Sequence, residues 1–270
     1  MSTLYLSDLD GTLLRSNQTT SDFTNATINR LVQDGMLFSY ATARSFNTAR
    51  KVTAGLDAKI PLIVYNGAFI VDNATDELLH CNLFSNEDAA AILRYILDAD
   101  VSPIVYCLDD KERFVYNRKR VNKDTLDYIN SRQGDPRDTP VEDDCQLSRN
   151  GTFYFTCIDQ EEKLMPLLEK YRDVHTCMFA KDIYSGAQWL EIMPKAATKA
   201  YAALQLKEKL GCDRIVAFGD AVNDIPLFEI ADECYAVENA AEALKARATG
   251  IIASNNEDGV AHWLDEHWAP

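Results

Sequence analysis

The chain opens on an apolar run that ends in charge. LYLSDLDGTLL begins as a short buried strand over residues 4–9 and closes on Asp8, Asp10, Gly11 and Thr12. Over residues 23–34 the apolar positions Ile28, Leu31 and Val32 recur at helical spacing until Gly35 ends the run. MLFSYAT (36–42) then predicts a second strand, SFNTARKVTAG a short helix closed by Gly55, and PLIVY (61–65) a third strand. Strand and helix in alternation imply parallel strands with helical crossovers.

The rhythm then changes. Asn66-Gly67 between two apolar runs is a hairpin signal. The capping box at 85–88 (SNED) precedes Ile92, Leu93, Ile96 and Leu97, and PIVYC and RFVYN read as antiparallel strands. Residues 133–146 (QGDPRDTPVEDDCQ) are polar, acidic and proline-bearing, which predicts an exposed loop. From AQWLEIM onward the opening rhythm returns: a helix from Leu204 to Leu210 stopped by Gly211, the strand RIVAFGD, a helix, ECYAV, a helix, GIIAS and a last helix. The economical architecture is α/β: a doubly wound, Rossmann-like parallel-sheet core from residues 1–83 and 187–270, with a smaller α+β domain inserted at 84–186.

Composition narrows the class. At 270 residues, 47% hydrophobic and 26% charged, the chain suits a soluble globular protein. Its net charge of -15 repels phosphate backbones and anionic lipid, which speaks against nucleic acid and membrane as partners. No obligatory protein partner is implied. The seven cysteines are scattered, with no Cys-x-x-Cys pair, as expected of reduced thiols. With no signal segment and no membrane-length apolar run, a cytoplasmic protein is expected.

Ligands of open parallel sheets bind outside the carboxyl ends of the strands. Four such ends carry polar residues: Asp8 and Asp10, Thr42 and Arg44, Asn66, and Asp220 with Asn223 and Asp224. Carboxylates gathered there repel one another unless a cation sits among them, and an all-oxygen donor set suits Mg²⁺ better than zinc. Magnesium so held usually keeps a place for a phosphate oxygen, which would let an acidic protein bind a small phosphorylated metabolite. An EF-hand calcium loop is excluded, because Gly11 stands fourth from Asp8 and Thr19 twelfth.

LSDLDGTLL, YATARS, Lys199 in EIMPKAATKA, and FGDAVNDIPLF resemble the four ordered motifs of the haloacid dehalogenase-like phosphohydrolases. The late lysine, the NGA after the third strand and the ending SNNEDGVAHWL narrow the resemblance to the Cof-like members, whose α/β cap lies between the second and third motifs. The resemblance implies a Mg²⁺-dependent phosphatase of small phosphomonoesters, sugar phosphates first. It implies Asp8 as nucleophile forming an aspartyl-phosphate, Asp10 as general acid and base, Thr42 bonding the phosphoryl group and Lys199 neutralising it. Asp220 would complete a metal site with Asp8 and the backbone carbonyl of Asp10, with Asp224 a further ligand or a partner of one. Ala43, Arg44, Lys199 and Asn223 fall to phosphate binding, although Arg44 also reads as a structural ion-pair residue. The inserted cap would close over the core and read the leaving group. Its basic stretch RFVYNRKR (Arg113, Arg118, Lys119, Arg120) reads as a solvated surface before a substrate contact.

The sequence departs from the family pattern at Ala43, Ala196, Ala200 and Ala221, where glycine is frequent; a positive φ there would be strained. A sugar phosphomutase and a catalytically silent phospho-ligand sensor are the alternatives to a phosphatase.

Overall fold

The computed structural model describes residues 2–181 and 186–270. It divides into two compact units, Met1–Cys81 with Ala197–Pro270, and Asn82–Ala196.

The first unit begins with β1 (Thr3–Ser7), α1 (Asp22–Gln33), β2 (Leu37–Tyr40), α2 (Phe46–Val52), β3 (Leu62–Val64), β4 (Phe69–Val71) and β5 (Leu78–Cys81). The second holds α3 (Asn86–Asp98), β6 (Pro103–Leu108), β7 (Glu112–Asn117), α4 (Lys123–Asn130), β8 (Asp138–Val141), β9 (Thr152–Asp159), α5 (Glu161–Tyr171), β10 (Thr176–Lys181) and β11 (Gln188–Met193). The chain then returns to the first unit with α6 (Lys199–Leu210), β12 (Arg214–Gly219), α7 (Ile225–Ile230), β13 (Glu233–Val237), α8 (Glu242–Lys245), β14 (Gly250–Ile252) and α9 (Gly259–His267).

The first unit is built on a parallel sheet of order β14-β13-β12-β1-β2. Strands β12 and β1 are neighbours in the interior of the sheet, and Leu4, Leu6, Ile215, Ala217 and Phe218 are fully buried, as strands covered on both faces must be apolar. Helix α1 starts at Ser21, whose side chain accepts from the Thr24 amide, and turns Ile28 and Leu31 into the core. The third predicted strand, β3, joins β2 only through an isolated parallel bridge, Ala41 to Ile63. Its ladder is antiparallel with β4, so the Asn66-Gly67 hairpin forms and opens a three-stranded sheet, β3-β4-β5.

The second unit is a six-stranded sheet of order β10-β11-β9-β6-β7-β8, antiparallel except for the β7–β8 pair. Its own core sets Ile92, Ile96, Leu164 and Leu167 of α3 and α5 against Val105, Phe155, Leu190 and Ile192 of the strands.

Two expectations need correction. AQWLEIM does not restart the core: it forms β11, antiparallel to β9 and β10, so the inserted unit runs to Ala196 rather than to 186. The segment 133–146 is not all loop, since Asp138–Val141 is edge strand β8 and Asp144–Leu147 a 3-10 turn that buries Leu147. Among the described residues no helix is long and apolar enough to cross a membrane.

Candidate active site

Strand β1 extends one residue past its end, where the Asp8 amide donates to Phe218 O of β12 at 2.9 Å. Asp8 is therefore anchored between the two central strands and is buried. After it the chain turns sharply at Gly11, whose φ is +78°. A Cβ at Gly11 would lie 2.3 Å from Asp220 Oδ2, so only glycine lets the DLDGT turn close on the Asp220 carboxyl. Thr12, also buried, donates its hydroxyl to Asp220 Oδ1 at 3.0 Å.

Lys199 arrives from the other side. Thr198 caps α6 by accepting from the Tyr201 amide, which makes Lys199 the first residue of that helix. Lys199 is 2% exposed, and its ammonium donates to Asp8 Oδ1 and Asp224 Oδ1, both at 2.7 Å. The second oxygen of Asp224 accepts the amides of Asp220 and Ala221, each at 3.1 Å. Asp224 thus ties the lysine to the turn that carries Asp220.

One carboxyl oxygen from each of Asp8, Asp220 and Asp224 lies within 4.8 Å of the others. Burial pushes the Asp8 carboxyl well up; Lys199 pulls it down, while Asp224 and Asp220 push further. Asp220 rises to about 6, first through burial and then through Asp224, against the Thr12 hydrogen bond. Burial works to lower the Lys199 ammonium, but Asp224 and Asp8 outweigh it and hold the amine protonated. One lysine does not neutralise three carboxyls, and a cation among oxygen donors would.

Asp10 stands apart from this cluster. Both its oxygens are gripped by Arg44, from Nε at 2.7 Å and Nη2 at 2.6 Å, and Gln18 accepts from the same Nη2. Arg44 is thus an ion-pair residue in this structure, the structural role weighed for it from the sequence. Thr42 is fully buried; its Oγ1 accepts the Arg44 amide at 3.1 Å, which leaves its O–H free to donate. Ala43 is exposed, and Asn223 is half-buried on the 3-10 turn Val222–Asp224. Ala43, Ala196, Ala200 and Ala221 all avoid positive φ, so the departures from glycine carry no backbone strain.

Asn66, Asp8, Thr42 and Asp220 are all in the first unit, as is Lys199. Of the basic stretch in the second unit, Arg113 pairs with Asp109 and Asp110, Arg118 and Lys119 with Glu142, and Arg120 with Asp100 and Asp144. These cations are spent on neighbouring acids. The role of Thr12 was missed from the sequence, although DGT placed it beside the turn; the signal was its position, not its type.

Comparison with known proteins gives the class to which this fold and this acidic, lysine-bridged strand end belong. The model of the haloacid dehalogenase-like hydrolases matches residues 5–264, and the chain belongs to that family. Two curated relatives from Bacillus subtilis (strain 168) are the 5-amino-6-(5-phospho-D-ribitylamino)uracil phosphatases YitU and YwtE. They are 27% and 29% identical to it; YitU aligns over 97% of this chain and 96% of its own length, and YwtE over 96% of each. The crystal structure of TM0651 from Thermotoga maritima superposes with a TM-score of 0.82 at 27% identity, covering 100% of this chain and 99% of that one. The protein is a phosphatase of this family.

Proposed function

We propose that the protein is a Mg²⁺-dependent phosphatase of small phosphomonoesters, sugar or polyol phosphates first, working through an aspartyl-phosphate on Asp8. The observation that carries this reading is the Lys199 bridge between Asp8 and Asp224 beside Asp220, at the carboxyl end of the parallel sheet. The buried, all-oxygen donor set fits magnesium: Asp8 and Asp220 would hold it, with the Asp10 carbonyl, and Asp224 would support Asp220. When bound, the ion would offset the charge of the carboxylates and of the phosphoryl oxygens.

Lys199 occupies Asp8 Oδ1, which leaves Oδ2 to attack phosphorus. The P–O bond to the leaving alcohol breaks as the Asp8 acyl phosphate forms, and the alcohol oxygen takes a proton from Asp10. In the second half, Asp10 accepts a proton from water as the water oxygen displaces Asp8, and phosphate leaves. In this structure Arg44 holds both Asp10 oxygens in an ion pair, so one of those two bonds has to open for Asp10 to carry the proton. The Thr42 hydroxyl and Lys199 supply donors to the phosphoryl oxygens, with Asn223 at the rim. The substrates named for YitU and YwtE, which are phosphorylated ribityl compounds, favour a sugar- or polyol-derived ester here.

The test is hydrolysis of p-nitrophenyl phosphate and a panel of sugar phosphates with and without Mg²⁺. Turnover should require the ion, release inorganic phosphate rather than an isomer, and vanish in Asp8→Asn. An unchanged rate in Asp8→Asn would overturn the nucleophile assignment.

A further inference from the structure

Strands β13 and β14 also end in polar residues, for which the site above has no use. β13 runs out into Glu238 and Asn239, and β14 into Ala253, Ser254 and the Asn255–Asp258 stretch of the SNNEDGVA motif. Their side chains take hold of the loop that follows Asp10, bond by bond. Asn239 Nδ2 donates to Gly11 O at 2.7 Å, while its Oδ1 accepts the Asn255 amide at 3.0 Å. Asn255, buried, donates from Nδ2 to Leu14 O at 2.8 Å. Asp258, buried, accepts Arg15 Nε at 3.0 Å and Nη2 at 2.5 Å, and the Thr24 hydroxyl at 3.1 Å. Asn256 Oδ1 accepts the Ser16 amide at 3.0 Å.

The held loop is the one on which the site is built. It starts at Asp10, packs Gly11 against Asp220 and bonds Asp220 through Thr12. Asn239 grips Gly11 by its carbonyl oxygen, and its link to Asn255 joins the ends of β13 and β14 into one brace. We propose that Asn239 and Asn255 are positioning residues, which fix this loop so that the Asp10 carbonyl and the Asp220 carboxyl stay set for one cation and one phosphoryl group. The inference rests on the magnesium phosphatase reading. Small displacements of a reacting group cost up to about 10²-fold in rate, and partners of metal ligands about 10–100-fold in affinity. Function should therefore suffer out of proportion to stability.

A matched control exists in the same unit. Asn29 makes the same two kinds of bond far along the chain, Nδ2 to Gly55 O at 2.7 Å and Oδ1 from the Asp57 amide at 2.6 Å. Full-length wild type, Asn239→Ala, Asn255→Ala and Asn29→Ala are titrated with Mg²⁺ by calorimetry without substrate, then assayed on p-nitrophenyl phosphate at saturating Mg²⁺. In Asn239→Ala the Mg²⁺ dissociation constant should rise about ten-fold and kcat fall about 10–10²-fold, with KM little changed. Asn255→Ala should shift both in the same direction by less. Asn29→Ala should lower the melting temperature as much while leaving both constants alone.

Wild-type Mg²⁺ affinity and kcat in Asn239→Ala would overturn the inference. So would a loss of activity that only follows the loss of folded protein. If wild type itself binds no Mg²⁺, the metal-dependent reading fails first, and that result is seen before any variant is measured.

Discussion

Lys199 stands at the end of α6 where a cation is least welcome, because the first turn of a helix already presents the positive end of its dipole. Its two contacts with Asp8 and Asp224 offset that cost. Lys199→Met should leave two buried carboxylates without a counter-charge, a loss of about 3–5 kcal/mol for a broken buried pair. Urea unfolding should show that loss without Mg²⁺ and a smaller one with it, since the ion can replace part of the missing charge. Equal stability in wild type and variant would sink the account.

A second titratable residue lies outside the site. Burial pushes the Glu191 carboxyl on β11 up to about 7, against a hydrogen bond from Tyr154 and the Arg132 guanidinium, which lower it. An unfolded glutamate titrates at about 4.3, so the folded chain binds the extra proton in between. Stability therefore falls as pH rises through that window and the loss is complete above 7. Glu191→Gln stays neutral throughout and should escape it. The stability of the variant relative to wild type should grow between pH 5 and pH 8.5 by about 1–3 kcal/mol; parallel pH profiles would contradict this.

Among the elements, the turn after β3 matters more than its length suggests. Tyr65, Asn66 and Gly67 have φ of 51°, 53° and 95° in succession. The turn latches the segment after β2, with the Tyr65 amide on Arg44 O and the Asn66 amide on Thr42 O, both at 2.9 Å. Gly67 meets the start of α6 so closely that a Cβ would lie 2.2 Å from Thr198 O. The neighbour is backbone and cannot swing away. Gly67→Ala should thus push the first turn of α6, and Lys199 with it, off Asp8. A drop in kcat of about ten-fold or more is expected, alongside about 1–2 kcal/mol from a left-handed alanine; unchanged kcat would show that α6 absorbs the shift elsewhere.

The same turn shows what the sequence could and could not say. Asn66-Gly67 announced a hairpin, but nothing in the one-dimensional pattern says that its glycine touches a helix more than a hundred residues later. Strands β1, β2, β12 and β13 were legible because buried parallel strands are apolar runs with polar ends. Edge strand β8, DTPV, carries a single large apolar residue and buries only Val141 fully, so it reads as loop. QWLEIM in β11 alternates well enough for either sheet, and only its pairing with β9 and β10 decides the matter. At the site, Asp8, Lys199 and Asp220 announced themselves by motif and order. Asn239 did not, and Asn255 stood inside the SNNEDGVAHWL signature without a role of its own, because the ends of β13 and β14 went unread.

At the scale of the whole molecule, the described residues form two hydrophobic cores that share no residue. The inserted unit leaves and rejoins the chain at adjacent points, since Asn82 Nδ2 donates to Ala196 O at 3.4 Å. Its size and closed ends are those of a domain able to fold alone. Residues 82–196 expressed by themselves should melt cooperatively with mixed α/β circular dichroism and should bind no Mg²⁺, because Asp8, Lys199, Asp220 and Asp224 all lie in the other unit. Residues 1–81 joined to 197–270 through a short Gly/Ser linker should conversely keep the Lys199 bridge and the Mg²⁺ affinity of the full chain. A non-cooperative melt of the excised unit would show that its core, from Ile92 to Ile192, is too small to stand without the parallel sheet. Loss of Mg²⁺ affinity in the joined pieces would show that the acidic cluster depends on the insertion and not only on the brace of strand ends around Gly11.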